Sequence, residues 1–273
     1  MHRSRLLLPT GLLAIVVLAA TGTVARAGSV IKPPANIAKA HKILFCSDVT
    51  YPPEEFYRGS TPAGSDIDIG TAAARLMDVK AGFANTGFDA IIPALLSGKC
   101  DAIISGMNDT PARRKQVSFV DYLRVGQSLM VQRGNPKHVR NLASLSGLSV
   151  SVEVGTTNAG FLQSESNKLQ AAGKKTISIV TFPKDTDAAN ALKTGKVDAY
   201  FGDAPVVAYY IKRDSSFAFA GQPINPIPVG IALRKNEGQL RADLQRAIRL
   251  MYGNGSMTRI LTRWNMAAFA LKH

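Results

Sequence analysis

Hydrophobic and polar positions along the chain form two successive blocks in which short apolar runs alternate with amphipathic segments. In the first block, apolar runs at 43–46, 81–86 and 101–104 predict strands. Between them, segments 66–77 and 88–97 carry apolar residues at helical spacing and predict helices. This alternation indicates a parallel sheet covered by helices.

The pattern restarts after an extended run at 127–132 and a turn at 133–136. The second block has predicted strands at 148–152, 177–182 and 197–201 and predicted helices at 157–172, 186–194 and 204–212. A strand at 228–233 and two amphipathic helices, 238–252 and 256–265, close the chain. We therefore expect an α/β fold of two lobes crossed twice by the chain, each a mostly parallel sheet flanked by helices. Lobe I would span 28–127 and 228–273, and lobe II 128–227.

The first 27 residues have the pattern of a secretory signal peptide. Two arginines lie within the first five residues, an apolar run follows to position 20, and Ala25-Arg26-Ala27 predicts cleavage before Gly28. The apolar run, about 15 residues long, is shorter than the ~20 residues that span a bilayer. No cysteine lies near the cleavage site. We expect a periplasmic, monomeric protein without a lipid anchor.

The positive charge of the chain does not indicate nucleic-acid binding. Cleavage would remove three arginines and no acidic residue, so the net charge would fall from +14 to +11. The remaining basic residues are scattered along the sequence and form no stripe interleaved with aromatic residues. Together with the export signal, this distribution predicts solvated surfaces and no nucleic-acid partner.

Cys46 and Cys100 are the two cysteines, and an exported protein permits a disulfide between them. Cys46 lies late in one predicted strand and Cys100 just before another. If these two strands are parallel neighbours, the sulfur atoms of the two cysteines would lie at different heights along the strands, which counts against a disulfide. The pairing is open at this level. The four histidines are scattered and the cysteines lack metal-ligand spacing, so we expect neither metal nor cofactor.

Polar residues follow several of the predicted strands. They are Asp48 with Tyr51, Ser105 and Gly106 with Asn108, Thr156 and Thr157 after Gly155, and Asp203. Ligands bind beyond the carboxyl ends of strands in such sheets, so these residues are expected to converge. Thr110 and Pro111 predict a short helix start, and Arg113 then supplies a planar fork that fits a carboxylate.

The motifs of catalysis and nucleotide binding are missing. The histidines do not fall at strand ends, so a Ser-His-Asp arrangement finds no support. Neither a Gly-x-Gly-x-x-Gly motif nor a P-loop occurs. The strand-end residues therefore favour a binding cleft over an enzyme active site.

Six ordered blocks resemble the extracellular solute-binding proteins of polar amino-acid ABC transporters. They are SDVTYPP (47–53), GSDIDI (64–69), FDAIIPAL (88–95), KCDAIISGM (99–107), GTT (155–157) and VDAYFGD (197–203). The resemblance covers about residues 42–265. It implies a two-lobed periplasmic-binding-protein fold that captures a polar α-amino acid and delivers it to a membrane permease.

The resemblance also implies roles for individual residues. Arg113 would hold the ligand α-carboxylate, assisted by the backbone near Asn108 and by the Thr156–Thr157 turn. Ser105 would be a further ligand-binding residue. Asp203 and the Gly106 carbonyl would hold the α-ammonium group. Tyr51 and Phe88 would flank the ligand side chain, and Asp48 would reach its tip. Glu54 departs from the family's usual apolar residue; with Asp48, it favours a cationic or amide-bearing ligand.

Two other functions remain open at the level of sequence. Cyclohexadienyl dehydratases share this fold and export route, and Glu54, Asp48 or Glu153 could supply the acid that such an enzyme needs. An exported sensory module that serves a membrane receptor is the other alternative.

Overall fold

The computed structural model of the protein describes residues 31–271. The predicted signal peptide lies outside these residues. The first half comprises α1 (Ala35–Ala40), β1 (Lys42–Ser47), β2 (Thr50–Tyr51), β3 (Glu55–Arg58), β4 (Thr61–Ala63), α2 (Ser65–Leu76), β5 (Lys80–Asn85), α3 (Ile91–Leu96), β6 (Ala102–Ile103), α4 (Pro111–Arg114) and β7 (Val117–Gln132). The second comprises β8 (Ser149–Glu153), α5 (Thr157–Ala171), β9 (Ser178–Phe182), α6 (Asp185–Lys193), β10 (Ala199–Asp203), α7 (Ala204–Arg213), β11 (Phe217–Arg234), α8 (Gly238–Gly253) and α9 (Ser256–Arg263).

Eight strands form one sheet in the order β5-β1-β6-β11-β7-β10-β8-β9. At one end, β5, β1 and β6 are parallel, and at the other end so are β10, β8 and β9. Between these groups run β7 and β11, an antiparallel pair of 16 and 18 residues that borders both groups. The two long strands therefore connect two parallel α/β units.

Hydrophobic cores lie on both faces of each unit. In the first unit, Phe45 of β1 packs with α2 and α8, while Ile103 of β6 packs with α3 on the other face. In the second, Val152 of β8 packs with α5, and Tyr200 of β10 packs with α6 and α7. Each unit thus buries its own apolar surface, which is the main source of its stability.

Most of the strands and helices predicted from sequence are present, with boundaries shifted by a few residues. The largest difference concerns β7 and β11, which extend far beyond the predicted runs 127–132 and 228–233. Charged residues in β7, such as Asp121 and Arg124, and prolines in β11 interrupt the apolar pattern there. Pairing along the two strands nevertheless continues, with register shifts in β11 between Ala220 and Ile227.

The sequence patterns did not predict α1 or the small antiparallel sheet β2-β3-β4. In β3, Glu55 is fully buried whereas Tyr57 is exposed, so the strand reverses the usual distribution of polar and apolar residues. Pro52 and Pro53 precede it. These features conceal the strand from an analysis of hydrophobic periodicity.

Cys46 and Cys100 form a disulfide, although the expected difference in their heights counted against one. Cys46 pairs in register with Ile103, three residues beyond Cys100. The segment before β6 is a turn and bend, not an extended strand, so Cys100 folds back to a Cα–Cα distance of 5.7 Å from Cys46. The expected difference in height was wrong because the chain turns before β6 and does not run straight into the strand.

No helix within residues 31–271 is both long enough and apolar enough to cross a membrane.

Replacing Cys46 and Cys100 together with alanine should lower the free energy of unfolding by about 2–4 kcal/mol, because the bridge restricts the unfolded chain. Urea unfolding of the exported, oxidised protein measures this change. Wild type unfolded in the presence of a reductant is the control and should match the double variant. Equal unfolding midpoints for oxidised and reduced wild type would contradict a stabilising bridge.

Candidate functional site

A small cavity opens where the carboxyl ends of the strands in the two units face each other. Its lining consists of Tyr51, Phe88, Gly106, Asn108, Glu153, Thr156, Asn158 and Asp203. Six of these residues were predicted from strand ends or family resemblance; Glu153 and Asn158 were not among the predicted binding residues. Larger surface openings, such as one bordered by Phe56–Gly59 and Arg263–Asn265, lack this convergence of strand-end residues.

Arg113 lies beside the cavity and joins its two sides. The predicted helix start is confirmed: the Thr110 hydroxyl accepts a hydrogen bond from the Arg113 backbone N–H, and Pro111 is the first residue of α4. The guanidinium donates to the Asn108 carbonyl at 2.9 Å and to the Gly155 carbonyl at 3.2 Å. It also lies over the Phe88 ring, 5.2 Å from the centroid. Burial lowers its pKa to about 10, so it is charged at neutral pH.

Asp203 ends β10 and is almost completely buried. Its backbone N–H donates to the Tyr51 hydroxyl at 3.2 Å, and its Oδ1 accepts from the Asn158 amide at 3.2 Å. Burial raises the pKa of Asp203 to about 6, while Asn158, Tyr51 and Arg113 act in the opposite direction. The carboxylate therefore depends on nearby donors and positive charge to remain ionised.

The start of helix α5 borders the same cavity. Thr156 is its N-cap and accepts a hydrogen bond from the Ala159 N–H at 3.2 Å. The Thr157 hydroxyl donates to the side-chain oxygen of Asn108 from the other unit. N–H groups in the first turn of a 15-residue helix favour an anion, which adds to the positive charge of Arg113.

Asp48 and Ser105 lie behind the cavity lining. Asp48 accepts hydrogen bonds from the Phe88 N–H at 2.8 Å and the Thr50 hydroxyl at 2.7 Å. Ser105 accepts from the Asp48 N–H and donates to Glu55, both at 2.9 Å. Both side chains therefore have structural partners within the first unit, and any ligand role for them stays a prediction.

Glu153 faces Asp48 from the second unit. The two acids interact across the two units. Burial raises the pKa of Glu153 well above its usual value, and the charges of Asp185 and Asp48 raise it further. Glu153 is the last residue of β8, so its strand-end position was a signal from which a site role could have been inferred.

Further buried acids surround the site. The charge of Asp66 raises the pKa of Glu55 in the first unit, where Asp66 accepts hydrogen bonds from the Gly106 N–H and the Tyr122 hydroxyl. Asp185 accepts hydrogen bonds from Tyr200 and Tyr210 in the second unit. Despite these carboxylates, no group of three or more His, Cys, Asp or Glu side chains in residues 31–271 is arranged to hold a metal ion.

The chain matches the bacterial extracellular solute-binding proteins, family 3, over residues 43–267, and it belongs to that family. It is 30% identical over 231 residues to ABC transporter arginine-binding protein 1 of Escherichia coli K12, covering 82% of this chain and 91% of that relative.

Two solved structures extend the comparison. An ancestral arginine-binding protein bound to arginine is 32% identical, with a TM-score of 0.76 and coverage of 82% of this chain and 98% of that one. An ancestral amino-acid-binding protein, a precursor of cyclohexadienyl dehydratase, is 30% identical, with a TM-score of 0.77 and coverage of 84% and 97%. The expected two-lobed solute-binding fold is confirmed.

Stability should fall as the pH rises from 4 to 7 in amino-acid-free buffer. Burial raises the pKa of Asp203 to about 6 and that of Asp185 to about 7, from an ordinary value of 3.8. Between the ordinary and the raised pKa, the folded state binds more protons than the unfolded state, so stability decreases with increasing pH. For Asp203 alone the loss is roughly 3 kcal/mol, at about 1.4 kcal/mol per pKa unit.

Differential scanning calorimetry at several pH values measures this dependence. An Asp203→Asn variant, which cannot ionise at this position, is the control and should have a shallower decrease in Tm. Identical pH profiles for the variant and wild type would contradict the proposed burial penalty.

Proposed function

We propose that the protein captures an α-amino acid with a cationic side chain between its two lobes and delivers it to the permease of an ABC importer. The observation that carries this proposal is the convergence of Arg113, Asp203 and Glu153 on one cavity. Arg113 is a cation that matches the α-carboxylate of such a ligand. Asp203 matches its α-ammonium group, and Glu153 matches its positively charged side chain. The family and the arginine-binding relatives support the same assignment.

Recognition of the ligand head group would use both sides of the cavity. Arg113 would bind the α-carboxylate through its fork, together with Asn108, Ser105 and the first turn of α5, where Thr156 and Thr157 lie. Asp203 would accept from the α-ammonium group, with the Gly106 carbonyl as a second acceptor. The positive charge of the ammonium would keep Asp203 ionised, because it offsets the burial that raises the carboxyl pKa.

Recognition of the ligand side chain would use the aromatic and acidic residues. Tyr51 and Phe88 would flank its aliphatic part, and Glu153 with Asp48 behind it would face its tip. A guanidinium or ammonium there would let both carboxyl groups be ionised, which burial otherwise disfavours. A neutral side chain would provide no such compensation. This difference favours arginine or lysine over neutral amino acids.

Ligand capture would couple to closure of the lobes, proposed as 28–127 with 228–273 and 128–227. The contacts of Arg113 with Gly155, of Thr157 with Asn108 and of Asp203 with Tyr51 join the two sides of the cavity. A ligand that contacts both sides stabilises the closed form through this difference in contacts. The hinge would lie where β7 and β11 cross between the units, near 126–131 and 222–228.

The predicted export signal indicates the compartment in which the protein would act. Cleavage before Gly28 would release a periplasmic monomer, and the ligand-bound form would dock on the permease. No cofactor enters this mechanism.

An enzymatic role is the second candidate, favoured by Glu153 and by the similarity to a dehydratase precursor. Glu153 lines the cavity, and its raised pKa would allow it to act as a general acid at neutral pH. Turnover of prephenate by the purified protein would favour this candidate over transport.

A thermal-shift screen of the common amino acids on ligand-stripped protein tests the proposed function. Arginine or lysine should give the largest stabilisation, roughly 2.7 kcal/mol at 100 times the Kd. Glu153→Gln should reduce the preference for these ligands over glutamine. Stabilisation by none of the amino acids would contradict the function, and a maximal effect with glutamate or leucine would contradict the cationic preference.

Arg113→Ala should weaken binding of the best ligand by about 30- to 5,000-fold, because it removes one partner of a buried charge pair. Arg113→Lys should also weaken binding, since lysine cannot form the planar fork. Titration calorimetry measures both. Arg114→Ala is the matched control: the neighbouring guanidinium is exposed and pairs with Asp109 away from the cavity. Wild-type affinity in the Arg113→Ala variant would refute the role of Arg113.

A further inference from the structure

Three side-chain amides connect Asp203 to the long strand β11. Asn158 donates to Asp203 Oδ1 at 3.2 Å, Gln127 Nε2 donates to Asn158 Oδ1 at 2.6 Å, and Asn225 Nδ2 donates to Gln127 Oε1 at 3.1 Å. We call Asn158, Gln127 and Asn225 the amide relay. Asn158 and Gln127 are buried, at 3% and 1% exposure, so water does not readily replace either partner.

The direction of the amide relay follows from the chemistry of Asp203. An ionised carboxylate only accepts hydrogen bonds, so Asn158 must turn its NH₂ group toward it. The Asn158 oxygen then faces Gln127, which must present its own NH₂ group. Reversal of either amide would bring two acceptors together in a buried environment. The orientation of Gln127 is therefore matched to an ionised Asp203.

Gln127 occupies the junction of three strands. In β7 it is in register with Asp203 of β10 on one side and with Ile224 of β11 on the other. The register of β11 shifts on both sides of Ile224, and Asn225 has a left-handed backbone with a φ of 51°. Gln127 does not line the ligand cavity. Its position connects the ammonium-binding carboxylate to the irregular segment of β11.

We infer that Gln127 is a positioning residue for ligand capture, which holds Asn158 in the orientation that keeps Asp203 directed at the cavity and receptive to a cationic group. This inference rests on the proposed function for its consequence in binding. The three hydrogen bonds of the amide relay involve only groups of the protein.

Several titratable groups face Asp203, and the amide relay acts alongside them. They are Tyr51 of β2, Glu54 before β3, Arg113 of α4 and Asp185 of α6. Arg113 favours the ionised form of Asp203, and the two acids oppose it. Loss of the Asn158 donor would add to the effect of the acids and raise the pKa of Asp203.

The test is a carboxyl-carbon NMR titration of Asp203 in the ligand-free protein. Gln127→Met, which keeps the side-chain length and removes the amide, should raise the titration midpoint by roughly half a unit to one unit. Ligand affinity at neutral pH should fall by about three- to tenfold. Gln127→Leu serves the same comparison if the methionine variant does not fold.

Gln132→Met is the matched control on the same strand. Gln132 donates to the Leu192 carbonyl at 3.0 Å and has no connection to Asp203. Its replacement should leave the Asp203 midpoint at the wild-type value, whatever it does to the melting temperature. An equal shift in both variants would mean general loosening of the second lobe and would overturn the inference.

A double-mutant cycle tests whether Gln127 acts through Asn158. Asn158→Ala should raise the Asp203 midpoint at least as much as Gln127→Met, and the double variant should match Asn158→Ala. An unchanged midpoint in Gln127→Met, or additive shifts in the double variant, would overturn the inference. Because the titration needs no ligand, a failed amino-acid screen would remove the proposed function without affecting this result.

Discussion

The site depends on an imbalance of buried charge. Seven carboxyl groups are buried around the contact between the two units: Asp48, Glu54, Glu55, Asp66, Glu153, Asp185 and Asp203. Arg113 is the cation that faces Asp203. Burial raises the pKa of each of these carboxyl groups, because it disfavours their ionised form. A positive charge placed among these acids would favour their ionised forms.

This imbalance gives a physical basis for selectivity. A cationic amino acid would bring an ammonium group to Asp203 and a second positive charge to Glu153, so both acids could ionise where they are buried. Binding would then release protons, and ligand affinity would depend on pH as well as on shape. A neutral ligand would fill the same space without this electrostatic gain. Discrimination would come from charge compensation more than from cavity size.

The long strands β7 and β11 determine where these charges meet. They carry the sheet across both units and bring the ends of the parallel strands to face each other. Gln127 lies in β7 at the point where β10 and β11 border it, so the orientation of Asp203 is linked to the crossing itself. The pairing of β7 with β10 and the amide relay therefore both involve Asp203.

The sequence by itself determined the alternating α/β organisation, the helix start at Thr110–Pro111 and the chain positions of most cavity-lining residues. These depend on local spacing: apolar periodicity and capping chemistry act over a few residues. The tertiary structure decided which strand-end side chains line the cavity, since Asp48 and Ser105 bond within the first unit while Glu153 and Asn158 line the cavity. It also decided the Cys46–Cys100 bridge, because a turn and not a straight strand carries Cys100. Strand-end position indicates the edge of the sheet, whereas side-chain direction depends on partners that only folding brings together.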